Sequence, residues 1–483
     1  MLSRLKSLIF LTVLLVTALS LAYSSIFLLF APPSRNAYYY PPSVNMPSNP
    51  QYCIPTPQLP LAKPASRENA VTKKVPVPLK DWDSARYLKG RPTKRFRDNL
   101  LENEVYITAW SNAGFTNQLM SYVNMIYLGM ISGRVPIIPP FGPDHHISQG
   151  AGIVPFGKIF NMTRARDDMR YPLLEWRDVK HLPSTSSSEI PHPEEREELG
   201  CWSTRHGNDP NPMRVRSVVD HLKLDISYTR APTEARNNPS DGNDDFLIFH
   251  KLVQFIFPGK PRPPPNGHYE IMSESPLGKR LLPDDHMSCF DYLYFVTSSE
   301  IFEWRFSWSP AWTKVATHLH FTDDLVRIVE GYLARAFGSS EDNIPQFIAV
   351  HVRRGDFANQ CYDTPGNCLA PLSTFEKRVE KIRQELRDKH NKRVKHVLVM
   401  SDEKDPEFWE QVQDLGWITF DHKEERTFQK YGEWYPPIVD FVAQSMAAGF
   451  VGTDDSTFSL VSARRVEDWS GGPTSHVTRF DRE

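Results

Sequence analysis

Apolar positions along the chain change rhythm several times, and each rhythm predicts a different kind of element. Residues 8–31 (LIFLTVLLVTALSLAYSSIFLLFA) form an uncharged run. At 1.5 Å per residue, such a helix spans a bilayer core of roughly 30 Å. Arg4 and Lys6 precede it and no basic cluster follows, so the positive-inside rule places the N-terminus in the cytosol and the bulk of the chain in the lumen. The run is longer than the roughly 7–15 residues of a cleaved signal's apolar region. The reading is therefore a single uncleaved transmembrane anchor over residues 1–31, with a cleaved signal peptide as the alternative. A Pro- and Tyr-rich stretch without periodicity follows and reads as an extended stem, drawn over residues 32–100.

Beyond the stem, short apolar runs alternate with helical spacing. Residues 104–110 (EVYITAW) predict a strand, and 117–131 predict a helix with Leu119, Val123, Ile126, Tyr127 and Met130 on one face. Gly133 stops that helix, and VPIIP supplies the next strand. Such a β-α-β crossover builds a parallel sheet. Residues 185–280 are polar and broken by prolines, and are expected as long loops with a few short elements. The aromatic-rich stretches 287–296 and 301–312 are expected to pack the first domain or its junction.

The second unit is clearer. FIAVHV (347–352) predicts a strand, followed by a helix capped by Ser373 with Glu376 three residues on. HVLVM (396–400) is the next strand, and Asp405-Pro406 opens another helix that Gly416 ends. A strand over 417–420, a helix over 438–448, a short strand at 449–452 and a helix from Ser456 complete the alternation. This pattern predicts a Rossmann-like domain. The domains are drawn at 101–320 and 321–483.

Composition narrows the class. A formal net charge of −2 gives no global excess of basic residues for a nucleic-acid partner. Five cysteines in a chain of 483 residues do not make a disulfide scaffold. Cys361 and Cys368 flank a Pro-Gly turn, so they either bridge in an oxidising lumen or remain structural thiols. Asn161-Met162-Thr163 is an N-glycosylation acceptor sequence. The Asp-Asp pairs at 167, 244, 284, 323 and 454 lack Asp-x-Asp spacing and read as caps or solvated loops. No metal site, Walker loop, GxGxxG or GxSxG is present.

Five places carry candidate chemistry. HVRRGDF (351–357) ends an apolar strand, where open α/β sheets bind ligands. Arg353 and Arg354 offer planar donors to a phosphate, Gly355 permits close approach, and Asp356 can orient an arginine; a surface Arg354–Asp356 pair is the alternative. In GTDDSTFSLVSARR (452–465), Ser456 and Thr457 stand at a strand-to-helix turn with free N–H groups, an anion site or a simple N-cap. GFTNQ (114–118) is a second Gly-containing turn at a helix N-terminus. Asp440 can accept from guanine or favour a helix dipole. In PPFGPDHH (139–146), Asp144, His145 or His146 can take a proton from an acceptor hydroxyl; Asp144 and His145 are the chosen candidates.

Taken in order, GFTNQ, HVRRGDF, the MSDEKD strand end, PIVDFVAQS and DSTFS resemble the GDP-fucose protein O-fucosyltransferase superfamily and its α1,6- and α1,2-fucosyltransferase relatives. The resemblance spans residues 104–468, with a gap through the Pro-rich middle. It implies a GT-B fold of two Rossmann-like domains facing across a cleft. It also implies inverting, metal-independent transfer of fucose from GDP-fucose, with no cofactor, to a protein or glycan acceptor in the Golgi or ER lumen. By that analogy Arg353 is catalytic and holds the β-phosphate. His351 contacts the nucleotide, Ser456, Thr457 and Phe458 bind the diphosphate and flank the base or ribose, and Asp440 reads guanine. Gly114, Phe115 and Asn117 line the donor site from the first domain, with Gly355 and Asp356 completing it. The family shares no single catalytic base to carry over. A transferase for another nucleotide sugar and a membrane-tethered binding protein without turnover are the alternatives.

Overall fold

The computed structural model describes residues 79–184, 191–259, 267–360, 369–478 and 481. The expected anchor at 8–31 and the Cys361–Cys368 pair lie outside these residues. No described helix is long and apolar enough to cross a membrane.

Two parallel sheets organise the chain. In the first half β1 (Tyr106–Ala109), β2 (Val135–Ile138) and β3 (Leu174–Glu175) lie on one side. β4 (Glu197–Ser203), β5 (Leu224–Arg230), β7 (Ile271–Ser273) and β8 (Met287–Phe290) complete a seven-stranded sheet of order β3-β2-β1-β8-β4-β5-β7. Only β7 runs antiparallel in this sheet. β6 (Leu247–Ile248) and β9 (Val296–Thr297) form a small separate ladder. In the second half β10 (Phe347–Val352), β11 (His396–Ser401), β12 (Ile418–Thr419), β13 (Gly449–Thr453) and β14 (Thr474–Val477) form an all-parallel sheet of order β12-β11-β10-β13-β14. The result is a mixed α/β fold with parallel sheets. Strands buried on both faces read as unbroken apolar runs, which is why β1, β2, β10 and β11 were legible.

Helices cover both faces. The Phe115–Ser132 helix follows β1 and ends at Gly133, whose φ of 69° suits a residue without a side chain. The Leu372–His390 and Pro406–Asp414 helices cover one face of the second sheet. The Asp323–Phe337, Tyr435–Ser445 and Thr457–Ser470 helices cover the other. Asp405 caps its helix as expected, accepting from the Glu407 N–H. Ser373 does not cap: its helix starts at Leu372, with Pro371 as the preceding residue, because Leu372 is itself buried.

Two expectations are corrected. The 185–280 stretch is not chiefly loop, since it holds β4 and β5, seven residues each, inside the first sheet. Several of their buried polar side chains are paired, although the Thr229 hydroxyl has no partner among the described residues. Asp225 accepts from Ser275 Oγ and the Leu277 N–H, and Ser227 Oγ bonds Leu281. Asp291 accepts from Ser203 Oγ and the Thr204 N–H. Burial of satisfied polar groups hides the strand from an apolar count. The stem, drawn to residue 100, also ends earlier. Phe96 and Leu100 join the core beneath the first sheet, the Phe96 N–H donates to Glu197, and Asn99 bonds the Val179 carbonyl.

The two halves share one continuous hydrophobic core, from Ile107 and Phe115 to Phe441 and Val461. At its centre lies Arg465, fully buried, with its guanidinium 4.5 Å from the Phe441 ring, 4.6 Å from Phe321, 4.9 Å from Trp469 and 5.5 Å from Phe160. None of its side-chain nitrogens has a hydrogen-bond partner among the described residues. Burial pulls its pKa down to about 9.

Candidate functional site

In-register pairing brings the carboxyl ends of β11, β10 and β13 side by side. His351 is opposite Met400 on one side and Gly452 on the other. The next residues therefore meet. Arg353 donates its backbone N–H to Thr453 Oγ1 at 2.9 Å and pairs its guanidinium with Asp402. Its Nη2 lies 2.7 Å from Asp356 and 2.7 Å from Nε2 of His146, which arrives from the first half. The side chain keeps only 16% exposure.

Asp402 was not singled out in the sequence, and it organises the turn. One oxygen takes the Arg353 guanidinium, and the other accepts the Arg354 N–H at 2.8 Å. A Cβ at Gly355 would collide with the same carboxylate, so the glycine is required by close approach. The available signal was the strand end MSDEKD, one strand over from HVRRGDF. Asp356 pairs with Arg353 and not with Arg354. Arg354 turns away to Glu403 at 2.6 Å and over the Phe408 ring.

The second wall is the start of the Thr457–Ser470 helix. Ser456 is its N-cap, accepting from the Ser459 N–H. First-turn N–H groups have no backbone acceptor inside a helix, and this helix starts just beyond the end of β13, beside the strand that ends at Arg353. Thr457 Oγ1 donates to Asn117 Oδ1 at 2.5 Å and sits 2.8 Å from Thr116 Oγ1, tying the GFTNQ turn to this helix across the two halves. Phe458 lies 4.9 Å from the His351 ring. His351 is buried, with Nδ1 2.7 Å from Ser459 Oγ. Burial, reinforced by nearby Arg353, drops its pKa to about 3, so it serves as a neutral ring.

Other expected residues fall differently. Gly114 caps the Phe115–Ser132 helix, but Phe115 is 6% exposed and packs between Phe141 at 4.9 Å and Phe441 at 5.3 Å. Its first-turn position turns inward, and its ring joins the halves. Asp440 lies on the Tyr435–Ser445 helix with Oδ1 2.9 Å from His422 Nε2. Burial opposes the charge on His422, but Asp440, with Asp421 and Glu425, overcomes it and raises its pKa. Asp440 thus has a partner inside the chain. Asn161 caps the Met162–Met169 helix, with Oδ1 accepting from the Arg164 N–H.

Asp144 and His145 are tied to each other and to the turn before Gly114. Asp144 accepts from the Ala113 N–H at 2.6 Å and the His145 N–H at 2.8 Å, pinning Ala113 at a φ of 68° in the turn before Gly114. Burial pushes its pKa up, but the hydrogen bonds from His145 and Ala113 prevail and hold it below the usual range. It is a weak base with a structural task. His145 pairs with Asp144, which raises its pKa. His146, the third of the three, is the one that reaches Arg353.

A cavity of about 500 Å³ opens beside this loop, with Ile138, Pro140, Ile153, Glu175, Arg177 and His221 among its walls. Cys201 and Cys289, on adjacent strands β4 and β8, form a disulfide that no sequence spacing suggested.

Comparison with known proteins completes the picture. No curated protein matches the chain. Among solved structures, POFUT1 in its apo form is similar over 78% of this chain and 98% of that chain, at 14% identity and a TM-score of 0.47. POFUT1 in complex with GDP-fucose gives the same values. The fucosyltransferase NodZ from Bradyrhizobium is similar over 74% of this chain and 93% of that chain, at 13% identity and a TM-score of 0.37. The family model for GDP-fucose protein O-fucosyltransferase matches residues 106–467, well over half of the sequence. The chain therefore belongs to the GDP-fucose protein O-fucosyltransferase family and is a GDP-fucose-dependent fucosyltransferase.

Proposed function

We propose that this enzyme is an inverting, metal-independent transferase of the GT-B type, moving fucose from GDP-fucose to a hydroxyl of a protein or glycan in the secretory lumen. One observation carries the reading: Arg353 and the amino end of the Thr457–Ser470 helix stand at the ends of the adjacent strands β10 and β13. Departure of GDP builds negative charge on the β-phosphate. Without a metal, preorganised N–H donors must meet that charge, and a guanidinium and a helix N-terminus supply them. Asp402 and Asp356 tether the guanidinium at the strand end, from which it turns to meet the diphosphate. The neutral His351 ring, against Phe458, supplies a flat surface beside the same helix start.

The lumenal placement rests on two supports. The 8–31 run has the length of a membrane anchor. The Cys201–Cys289 bridge suits an oxidising compartment. Golgi or ER is the natural address, and Asn161 is then available to the glycosylation machinery.

Arg353→Ala is expected to lower transfer by at least about 10²–10³-fold, the cost of one transition-state donor. Arg353→Lys is expected to recover little of it, because an ammonium lacks the planar fork. Circular dichroism should show an intact fold in both; wild-type turnover in Arg353→Ala would remove the phosphate role. Activity should persist in EDTA, and complete loss there would require a metal-dependent scheme. For guanine reading, Asp440→Ala should weaken GDP binding with no effect on UDP binding, as followed by calorimetry.

A further inference from the structure

We propose that His146 is the general base of this transfer, covered by Arg353 in the resting enzyme and uncovered when the donor diphosphate draws that arginine away. The inference rests on the donor-site reading above and adds the group that deprotonates the acceptor.

The geometry fixes the direction of one hydrogen bond. Nε2 of His146 lies 2.7 Å from Nη2 of Arg353. A guanidinium only donates, so Nε2 presents its lone pair, and the neutral ring carries its proton on Nδ1. The imidazole is 53% exposed, so an acceptor hydroxyl has access to it. Its charged and titratable surroundings are Arg353, Asp356, His145 and Asp402. Burial and then Arg353 hold its pKa below the ordinary histidine value of 6.5, while Asp356 at 4.0 Å opposes them. When Arg353 turns to the diphosphate, the lone pair is released and the main cationic neighbour recedes. The base becomes both available and stronger at the moment the donor is bound. Pro140, in the same 139–146 loop, also lines the 500 Å³ cavity. Asp144 does not compete, because its carboxylate is spent on Ala113 and His145.

The step balances without a further reactant. The acceptor O–H proton moves to Nε2 as that oxygen bonds to C1 of fucose. The bond from C1 to the β-phosphate oxygen breaks, and its electron pair leaves with GDP. The exposed imidazolium, with Asp356 beside it, then releases its proton to solvent.

The test uses the full-length chain carrying His146→Gln, and His146→Ala as a second variant, with GDP-fucose as donor. We expect kcat to fall about 10²–10³-fold, in the range of a general base. GDP affinity by calorimetry should stay within about twofold, as expected for a group acting on the acceptor. The wild-type kcat/KM should decline on acidification with a midpoint below 6.5, and that limb should vanish in His146→Gln. Imidazole in the medium should partly restore His146→Ala. A wild-type kcat in both variants, or an acid limb that persists in His146→Gln, overturns the proposal. So does loss of GDP affinity, which would make His146 a donor ligand. If Arg353→Ala also binds GDP and turns over normally, the donor-site reading itself falls, and that result is separable from the others.

Discussion

Arg353 owes its orientation to a residue 49 positions away. Asp402 holds the guanidinium, accepts the next backbone N–H and excludes any side chain at 355. Asp402→Asn keeps the volume and loses the charge, so the guanidinium is held by Asp356 alone. We expect kcat to fall about 10–100-fold, in the manner of a lost supporting partner, with a smaller change in the thermal midpoint. Equal kcat in the variant and the wild type would show that Asp356 suffices. At this scale HVRRGDF and DSTFS were readable, because each is contiguous and sits at one strand end or in one helix turn. The sequence concealed Asp402, whose place beside Arg353 comes from a neighbouring strand, and it offered His146 only as one of three candidates in its loop. It did not show that Phe115 packs in the core, since a motif residue in a first helical turn can face either way.

Among the elements, the second sheet was legible nearly strand by strand and the first was not. β10 and β11 are pure apolar runs between clear helices. β5, by contrast, reads LDISYTR, and its Asp225 and Ser227 are buried against the 275–281 segment, so no local pattern announces a strand. The Cys201–Cys289 bridge fastens this same region, joining β4 to β8 across a sequence separation of 88. A loop of that length gives an expected contribution of roughly 2–4 kcal/mol. Cys201→Ala with Cys289→Ala should therefore lower the melting temperature of the protein by several degrees. A reductant should do the same to the wild type and nothing further to the double variant. An unchanged midpoint in both would mean that sheet pairing alone holds β4 to β8.

For the molecule as a whole, Arg465 tests how the halves are joined. Its guanidinium is unpaired among the described residues yet surrounded by four rings from both halves. Cation–π contacts contribute roughly 0.5–2 kcal/mol each, against several kcal/mol for desolvating the charge. A planar, weakly hydrated cation suits this place, and a compact ammonium does not. Arg465→Lys should destabilise by about 2 kcal/mol or more, whereas Arg465→Met should stay within about 1 kcal/mol of the wild type in chemical denaturation. The reverse order would show that hydrogen bonding, and not ring contact, retains the charge.

The shared core around that arginine also governs how substrates come and go. A seam of interlocked hydrocarbon resists being prised apart, because every ångström of gaping would wet side chains from Phe115 to Val461. Traffic must then pass through the polar stitching at its margin: Ser148 on Glu433, Arg305 on Asp455, and His146 on Arg353. Such stitches yield to water, salt and an arriving anion far more readily than the seam does. The most yielding links between the halves therefore lie at the rim, where Ser148, Arg305 and His146 meet the second half.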